Sequence, residues 1–380
     1  MLKLPPISLY VHFPWCVKKC PYCDFNSHQL RTSLPANEYL QTLIRDLESH
    51  HQDLQDRKFS SIFLGGGTPS LFPSLTLSKF FDYLNQHNLT DNNTEITLEA
   101  NPGTIEHGKF CDYKAMGINR ISLGVQSFQN DKLQILGRIH NDQNIYHAVE
   151  KLKCAGFNNF NLDLMHGLPN QSVGDAIYDL NQAIALEPTH LSWYQLTLEP
   201  NTPFAVKPPK LPDEDLLYEI ETQGKALIGE QGFDQYETSA YAKCKTLQAK
   251  HNLNYWHFGD YIGIGAGAHS KISYPQQNII KRYWKRKHPT LYISEKRFPY
   301  GQSQIMKEDR PYEFMLNALR LYNGFSTDLF EQTTGLGIET IEQTLDLAIN
   351  RKLLIQNGKY FIPSKIGQRF LNDLIYLFLP

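Results

Sequence analysis

The chain has 380 residues, 41% hydrophobic and 20% charged, with 37 Lys and Arg against 39 Asp and Glu for a formal net charge of −2. That composition excludes a disordered or fibrous chain, and near-neutral charge argues against a protein that binds nucleic acid by neutralising phosphates. No apolar run approaches the ~20 residues of a membrane-crossing helix, and the start, with Pro5, Pro6 and Pro14, lacks signal-peptide character, so a cytoplasmic protein is expected.

In chain order, strand-like runs fall at residues 7–13, 61–64, 95–99, 120–125, 159–164 and 191–198. Amphipathic segments at 39–54, 75–84, 141–154, 173–186 and 214–228 separate them, with Tyr39, Leu40, Leu43, Ile44 and Leu47 at helical spacing. Strands alternating with helices build βαβ units and a parallel sheet. Six units are two short of a closed eightfold barrel, so an open, partial (β/α)6 barrel of the TIM type competes with a doubly wound sheet. Residues 65–68, Glu99 with Asn101, Gln126, Asp163 with His166, and Gln195 all sit at the C-terminal ends of different runs. A barrel rings such residues around one mouth, whereas a doubly wound sheet gathers them at its switch point. The α/β partial barrel is therefore expected.

Beyond Glu199, Pro200, Pro203, Pro208, Pro209 and Pro212 mark an extended crossing segment. The glycine-rich stretch 259–270 reads as closely packed backbone. Helical patterns at 311–321, 327–333 and 338–350 precede a hairpin of 353–356 and 360–362 around Asn357-Gly358. These suggest a C-terminal α+β, winged-helix-like domain without a strong basic face. The expected division is a barrel core at 1–235, a connecting region at 236–305 and the C-terminal domain at 306–380.

Cys16, Cys20 and Cys23 lie within eight residues, while Cys111, Cys154 and Cys244 are scattered and read as small core hydrophobes. Three thiolates in one loop can hold three corners of an iron–sulfur cluster and leave the fourth to a small molecule. Structural zinc takes four ligands, usually in separated pairs, and would need His12 or His28 as the fourth. The unpaired spacing favours the cluster.

Cys16-x3-Cys20-x2-Cys23, with Tyr22 just before the last thiol, resembles the signature of the radical S-adenosylmethionine (SAM) superfamily. The entry Tyr10-Val-His-Phe-Pro-Trp-Cys16 resembles one branch of it, the oxygen-independent coproporphyrinogen oxidases and the HemW haem chaperones. Gly65-Gly-Gly-Thr-Pro69, Glu99, Gly124-Val-Gln-Ser-Phe128, Arg138, Asn161-Leu-Asp-Leu and Gly167-Leu-Pro169 follow in the same order, and the resemblance runs through the barrel into the C-terminal region. It implies a 4Fe-4S cluster at Cys16, Cys20 and Cys23, with SAM chelating the open iron. It also implies that Tyr10, Tyr22, Gly66, Gly67, Thr68, Glu99, Gln126, Arg138 and Asp163 line the SAM site or the adjoining pocket.

The residues themselves fit such a ligand, each beside a plainer explanation. The glycine triplet lets backbone approach a ligand or simply makes a tight turn, and it lacks the Lys-Ser/Thr of a phosphate loop. Glu99 accepts from a ribose or an amine, or is a surface acid. Arg138 offers a fork to a carboxylate, or joins a surface ion pair. Asp163, between Leu162 and Leu164, points into the barrel mouth and needs a partner there. Gln126 is placed similarly, or is a satisfied core amide.

The decarboxylating oxidases continue the cysteine motif with Gly and a further Cys. Here Asp24, Phe25, Asn26, Ser27 and His28 follow, which is the HemW-like continuation. His251-Asn-Leu-Asn-Tyr-Trp256 resembles the motif connected with haem binding in HemW proteins. His251 and Tyr255 are competent axial ligands, yet four residues apart they share one helix face, so the motif offers one ligand, or serves packing alone. The basic run 281–288 meets haem propionates, acidic lipid or a partner, or is a solvated loop. The implied function is haem binding and delivery to acceptor haemoproteins, with coproporphyrinogen oxidation as the alternative. Nucleic acid is not an expected partner, and peripheral membrane association and oligomeric state stay open.

Overall fold

Six strands, β1 (Ile7–Phe13), β2 (Phe59–Gly66), β3 (Glu95–Ala100), β4 (Arg120–Gln126), β5 (Phe160–His166) and β6 (His190–Gln195), lie side by side in chain order in the computed structural model, which describes residues 1–104 and 109–380. Every neighbouring pair is parallel. β1 is buried on both faces apart from a half-buried Tyr10, as expected when helices cover the outside and side chains fill the inside. The helix Ala36–Ser49 packs outside through Tyr39, Leu40, Leu43 and Leu47. It stops at His50 before a separate short turn of helix, His51–Leu54.

After β6 the hairpin of β7 (Asp234–Glu237) and β8 (Ala240–Ala242) adds antiparallel to that edge. At the other edge β9 (Asp260–Ile264) pairs parallel with β1, and β10 (His269–Tyr274), β11 (Ile279–Trp284) and β12 (Gly301–Ile305) extend the sheet antiparallel. The order is β12-β11-β10-β9-β1-β2-β3-β4-β5-β6-β8-β7, and its two ends do not meet, so the barrel is open.

The differences from expectation are local. The glycine-rich stretch contains a seventh parallel strand, β9. A Cβ on Gly263 would lie 2.0 Å from the His269 carbonyl oxygen, so crowding by the next strand requires glycine there and hides the strand's pattern. β7 runs across residue 235, and the last strand of the sheet ends at residue 305. Pro203 opens a short helix, Pro203–Val206, at the one helical position where its missing N–H costs nothing. The basic run is not a solvated loop: Lys281 to Trp284 lie in β11, and the buried Lys285 ammonium bonds to Asp46 and to His50 Nε2. Cys111, Cys154 and Cys244 are exposed rather than core residues.

The C-terminal unit packs through Phe314, Phe330, Ile341, Leu345 and Leu374 into an apolar cluster that also takes in Leu2, Phe258, Ile280 and Ile305. Its three-stranded antiparallel sheet joins Phe325–Ser326, Leu354–Asn357 and Tyr360–Pro363. The hairpin register pairs Asn357 with Tyr360, which puts the two-residue turn at Gly358-Lys359, one place beyond the expected one. Gly358 supplies the left-handed φ of +57°.

Candidate functional site: a thiol-rimmed cavity at the barrel mouth

A cavity of about 550 Å³ opens at the C-terminal ends of the strands, a volume suited to a small-molecule ligand. Of the expected site residues only Tyr10, His251 and Tyr255 do not line it. Cys16 ends the short strand Trp15–Cys16, and the loop carrying Cys20 and Cys23 returns through His28–Gln29, paired in parallel with it. The glycine triplet holds this loop from below. Gly67 N–H donates to Phe13 O at 2.6 Å and Thr68 N–H to Trp15 O at 2.8 Å. A Cβ on Gly67 would meet the Trp15 carbonyl at 2.5 Å, so the close approach serves the cysteine loop as much as any ligand.

His12 ties the loop to the barrel. Its Nε2 donates to Asn26 O at 2.9 Å, which leaves Nδ1 to accept from the Tyr10 hydroxyl at 2.9 Å. Both nitrogens are therefore used within the protein, which removes His12 as a fourth metal ligand. Among the described residues no group of three His, Cys, Asp or Glu converges on a point as a single metal ion requires. Thiols spread around a cavity rim suit a polynuclear cluster better than zinc.

The far wall is polar and incompletely paired. Arg138 Nη2 donates to Gly124 O at 2.8 Å and Nη1 approaches Cys20 Sγ at 3.7 Å, while Nε is buried with no partner. Gly66 N–H donates to Glu99 Oε2 at 3.0 Å. Burial and the nearby Asp163 push the Glu99 pKa up to about 7. Asp163 accepts from Ser122 Oγ at 2.9 Å and Asn161 Nδ2 at 2.7 Å, yet burial still raises its pKa. Neither acid joins an ion pair among the described residues. Two acids that join no ion pair among the described residues and a guanidinium with an orphaned Nε fit a ligand that carries an amine, a carboxylate and a positive centre.

Sequence reasoning missed two supports. Gln126 sits at φ +72°, and its Oε1 accepts from the Tyr194 hydroxyl at 2.7 Å. Asp179 then pins the turn that follows, accepting from Ser127 Oγ at 2.7 Å and Phe128 N–H at 2.8 Å. Tyr194 was findable, because it shares the inward parity of His190 and Ser192 on β6. Asp179 lies on a helix with no local signal. His166 faces outward against Trp193, with ring centroids 4.2 Å apart, and Met165 takes the cavity position.

His251 and Tyr255 lie on the short helix Lys250–Trp256, which packs against β2 inside the barrel. Their rings touch edge to face at 4.9 Å, as expected for one helix face. His251 is 5% exposed, stacks on Phe63 at 4.8 Å and lies 6.2 Å from Tyr10. Burial lowers its pKa to about 3. In this structure it is a core histidine outside the cavity lining.

An open parallel barrel with three loop thiols over a polar ligand cavity defines the class, and the Radical SAM superfamily profile matches residues 10–182. The profile of the HemN C-terminal domain matches residues 305–370. The chain is 49% identical over 383 residues to the Heme chaperone HemW of Haemophilus influenzae, covering 100% of this chain and 99% of that one. It is 48% identical to that of Escherichia coli, with both chains covered in full (100%), and 33% identical to that of Bacillus subtilis, with 93% of each covered. The chain belongs to the HemW family of the radical SAM superfamily. The solved structure of coproporphyrinogen III oxidase (HemN) from Escherichia coli superposes with a TM-score of 0.81 at 21% identity, over 99% of this chain and 90% of that one, which is a likeness of fold.

Proposed function

We propose that this protein is a haem chaperone of the radical SAM type, which binds haem and passes it to acceptor haemoproteins. One observation carries the reading: three loop thiols, the carboxyl groups of Glu99 and Asp163, and Arg138 with its unpartnered Nε line a single cavity. Cys16, Cys20 and Cys23 hold the 4Fe-4S cluster, and the cavity beside it takes SAM. When bound, the cluster supplies an open iron site and an electron source. Arg138 receives the ligand carboxylate, Glu99 and Asp163 face its amine and ribose, and Gln126, Tyr22, Gly66, Gly67 and Thr68 shape the walls. Tyr10 acts one layer below, by holding His12 against the loop.

Coproporphyrinogen oxidation is the less supported reading, since the likeness to that oxidase is one of fold. The cysteine motif also runs into Asp24-Phe25-Asn26 without a further thiol. Among the described residues no helix is long and apolar enough to cross a membrane. The test is anaerobic reconstitution of wild type and Cys20→Ala, followed by mixing haem-loaded protein with an apo-haemoprotein. Wild type should carry iron and acid-labile sulfide, bind SAM and transfer haem, while the variant loses the cluster. Conversion of coproporphyrinogen to protoporphyrinogen, without haem binding, would overturn the proposal in favour of the oxidase.

A further inference from the structure

Two sequence features left without a role meet in space: the segment after the cysteines, residues 24–28, and the end of the basic run, residues 286–288. Asn26 Nδ2 donates to Lys287 O at 2.8 Å and to Ala266 O at 2.8 Å, so the cysteine loop is stitched to this run. Gly267 N–H donates to Arg286 O at 2.8 Å and extends the seam. At the seam the His28 and His288 rings touch edge to face, with centroids 5.5 Å apart and planes at 66°. His288 is exposed. His28 is half-buried, its Nε2 has no hydrogen-bond partner, and burial first and His288 second lower its pKa.

Around the two histidines lie an exposed aromatic ring and two exposed lysines. Phe25 is 58% exposed and also lines the cavity, so an apolar ring stands at its rim, three residues before His28 in the chain. Lys19 donates from Nζ to Phe25 O at 3.1 Å, and Lys19 and Lys287 are both exposed. Neither lysine joins an ion pair among the described residues. Two imidazoles are too few for a bare metal ion, which wants about four protein donors. A porphyrin brings four nitrogens of its own and leaves an axial position for a single side chain.

We propose that this corner is the haem-docking site: His288 provides the axial ligand, Phe25 packs on the macrocycle, and Lys19 and Lys287 meet the propionates. The inference rests on the haem-chaperone reading and deepens it. The two rings are in contact, so no macrocycle lies between them, and His28 serves to orient His288. The site adjoins the cavity rim at Phe25, which puts bound haem beside the cluster loop. It also gives the loop's Asp24–His28 continuation a task distinct from holding the cluster.

The test is titration of hemin into the full-length, anaerobically reconstituted protein, read by its Soret and visible bands. His288→Ala should lose the nitrogen-ligated spectrum and bind hemin about tenfold or more weakly, and added imidazole should restore the spectrum. Reversing both lysines, Lys19→Glu with Lys287→Glu, should weaken binding and leave the spectrum unchanged. His251→Gln, with its fold confirmed by circular dichroism, should keep the wild-type spectrum. Wild-type affinity and spectrum in His288→Ala would overturn the placement, and so would loss of nitrogen ligation in His251→Gln alone. Failure of the wild type to saturate would overturn the chaperone reading and this site with it.

Discussion

Replacing Arg138 with Ala tests the cavity's polar wall. Arg138 makes one good hydrogen bond within the protein, from Nη2 to Gly124 O at 2.8 Å, and holds a buried Nε with nothing to donate to. If the free edge of the fork meets the SAM carboxylate, the substitution removes a charge-assisted hydrogen bond worth about 1.5–3 kcal/mol. At ~1.4 kcal/mol per factor of ten, the dissociation constant for SAM rises by about ten- to a hundredfold. Losing the bond to Gly124 O costs about 1 kcal/mol of stability separately. Arg138→Lys keeps the charge but not the planar fork, and falls between the two. Equilibrium dialysis of SAM under anaerobic conditions measures this. Iron content must be matched between samples, because Nη1 also approaches Cys20 Sγ. Equal SAM affinity in Arg138→Ala and wild type at equal iron content would refute the assignment.

Two further expectations concern the acid and the glycine that face this wall. The folded chain holds the Glu99 proton up to about pH 7, against an ordinary value of 4.5, so the protein without SAM loses stability as pH rises through that window. Glu99→Gln should flatten this fall. A cationic ligand favours the ionised form, so SAM affinity should rise with pH through the same range in wild type and stay level in the variant; a level wild-type profile would remove Glu99 from the site. In Gly67→Ala the new Cβ would press on backbone, 2.5 Å from Trp15 O and 2.7 Å from Phe13 O. The strain should cost about 1–3 kcal/mol and lower the iron retained on reconstitution, whereas an unchanged melting temperature and iron content would show that the loop does not rest on Gly67.

Much of the site was legible because its residues are placed by strand ends. Glu99 and Gln126 stand at the C-terminal ends of two successive parallel strands, with Asp163 midway along the next, and a barrel turns that regularity into one mouth. The thiols were legible from spacing alone. Tyr10 shows the limit of such reasoning: parity along β1 sends it inward, but depth along the strand puts it below the cavity, and spacing within one strand does not report depth. The placement of His251 was hidden for a related reason. A histidine beside Tyr and Trp looks like a ligand set, and only the packing on Phe63 and Tyr10 shows it to be core. β9 was missed because its one glycine, Gly263, is demanded by a neighbouring strand, which is long-range information. The exposed Cys111, Cys154 and Cys244 went against an average tendency of free thiols to be buried, and nothing local marked the exception.

The most direct test of the central claim is haem transfer. The anaerobically reconstituted protein is loaded with hemin, separated from the excess, and mixed with an apo-haemoprotein while the Soret bands of donor and acceptor are followed. The account predicts saturable loading, then loss of the donor band as the acceptor band grows. A protein that never saturates with haem, or that keeps it in the presence of an acceptor, would contradict it.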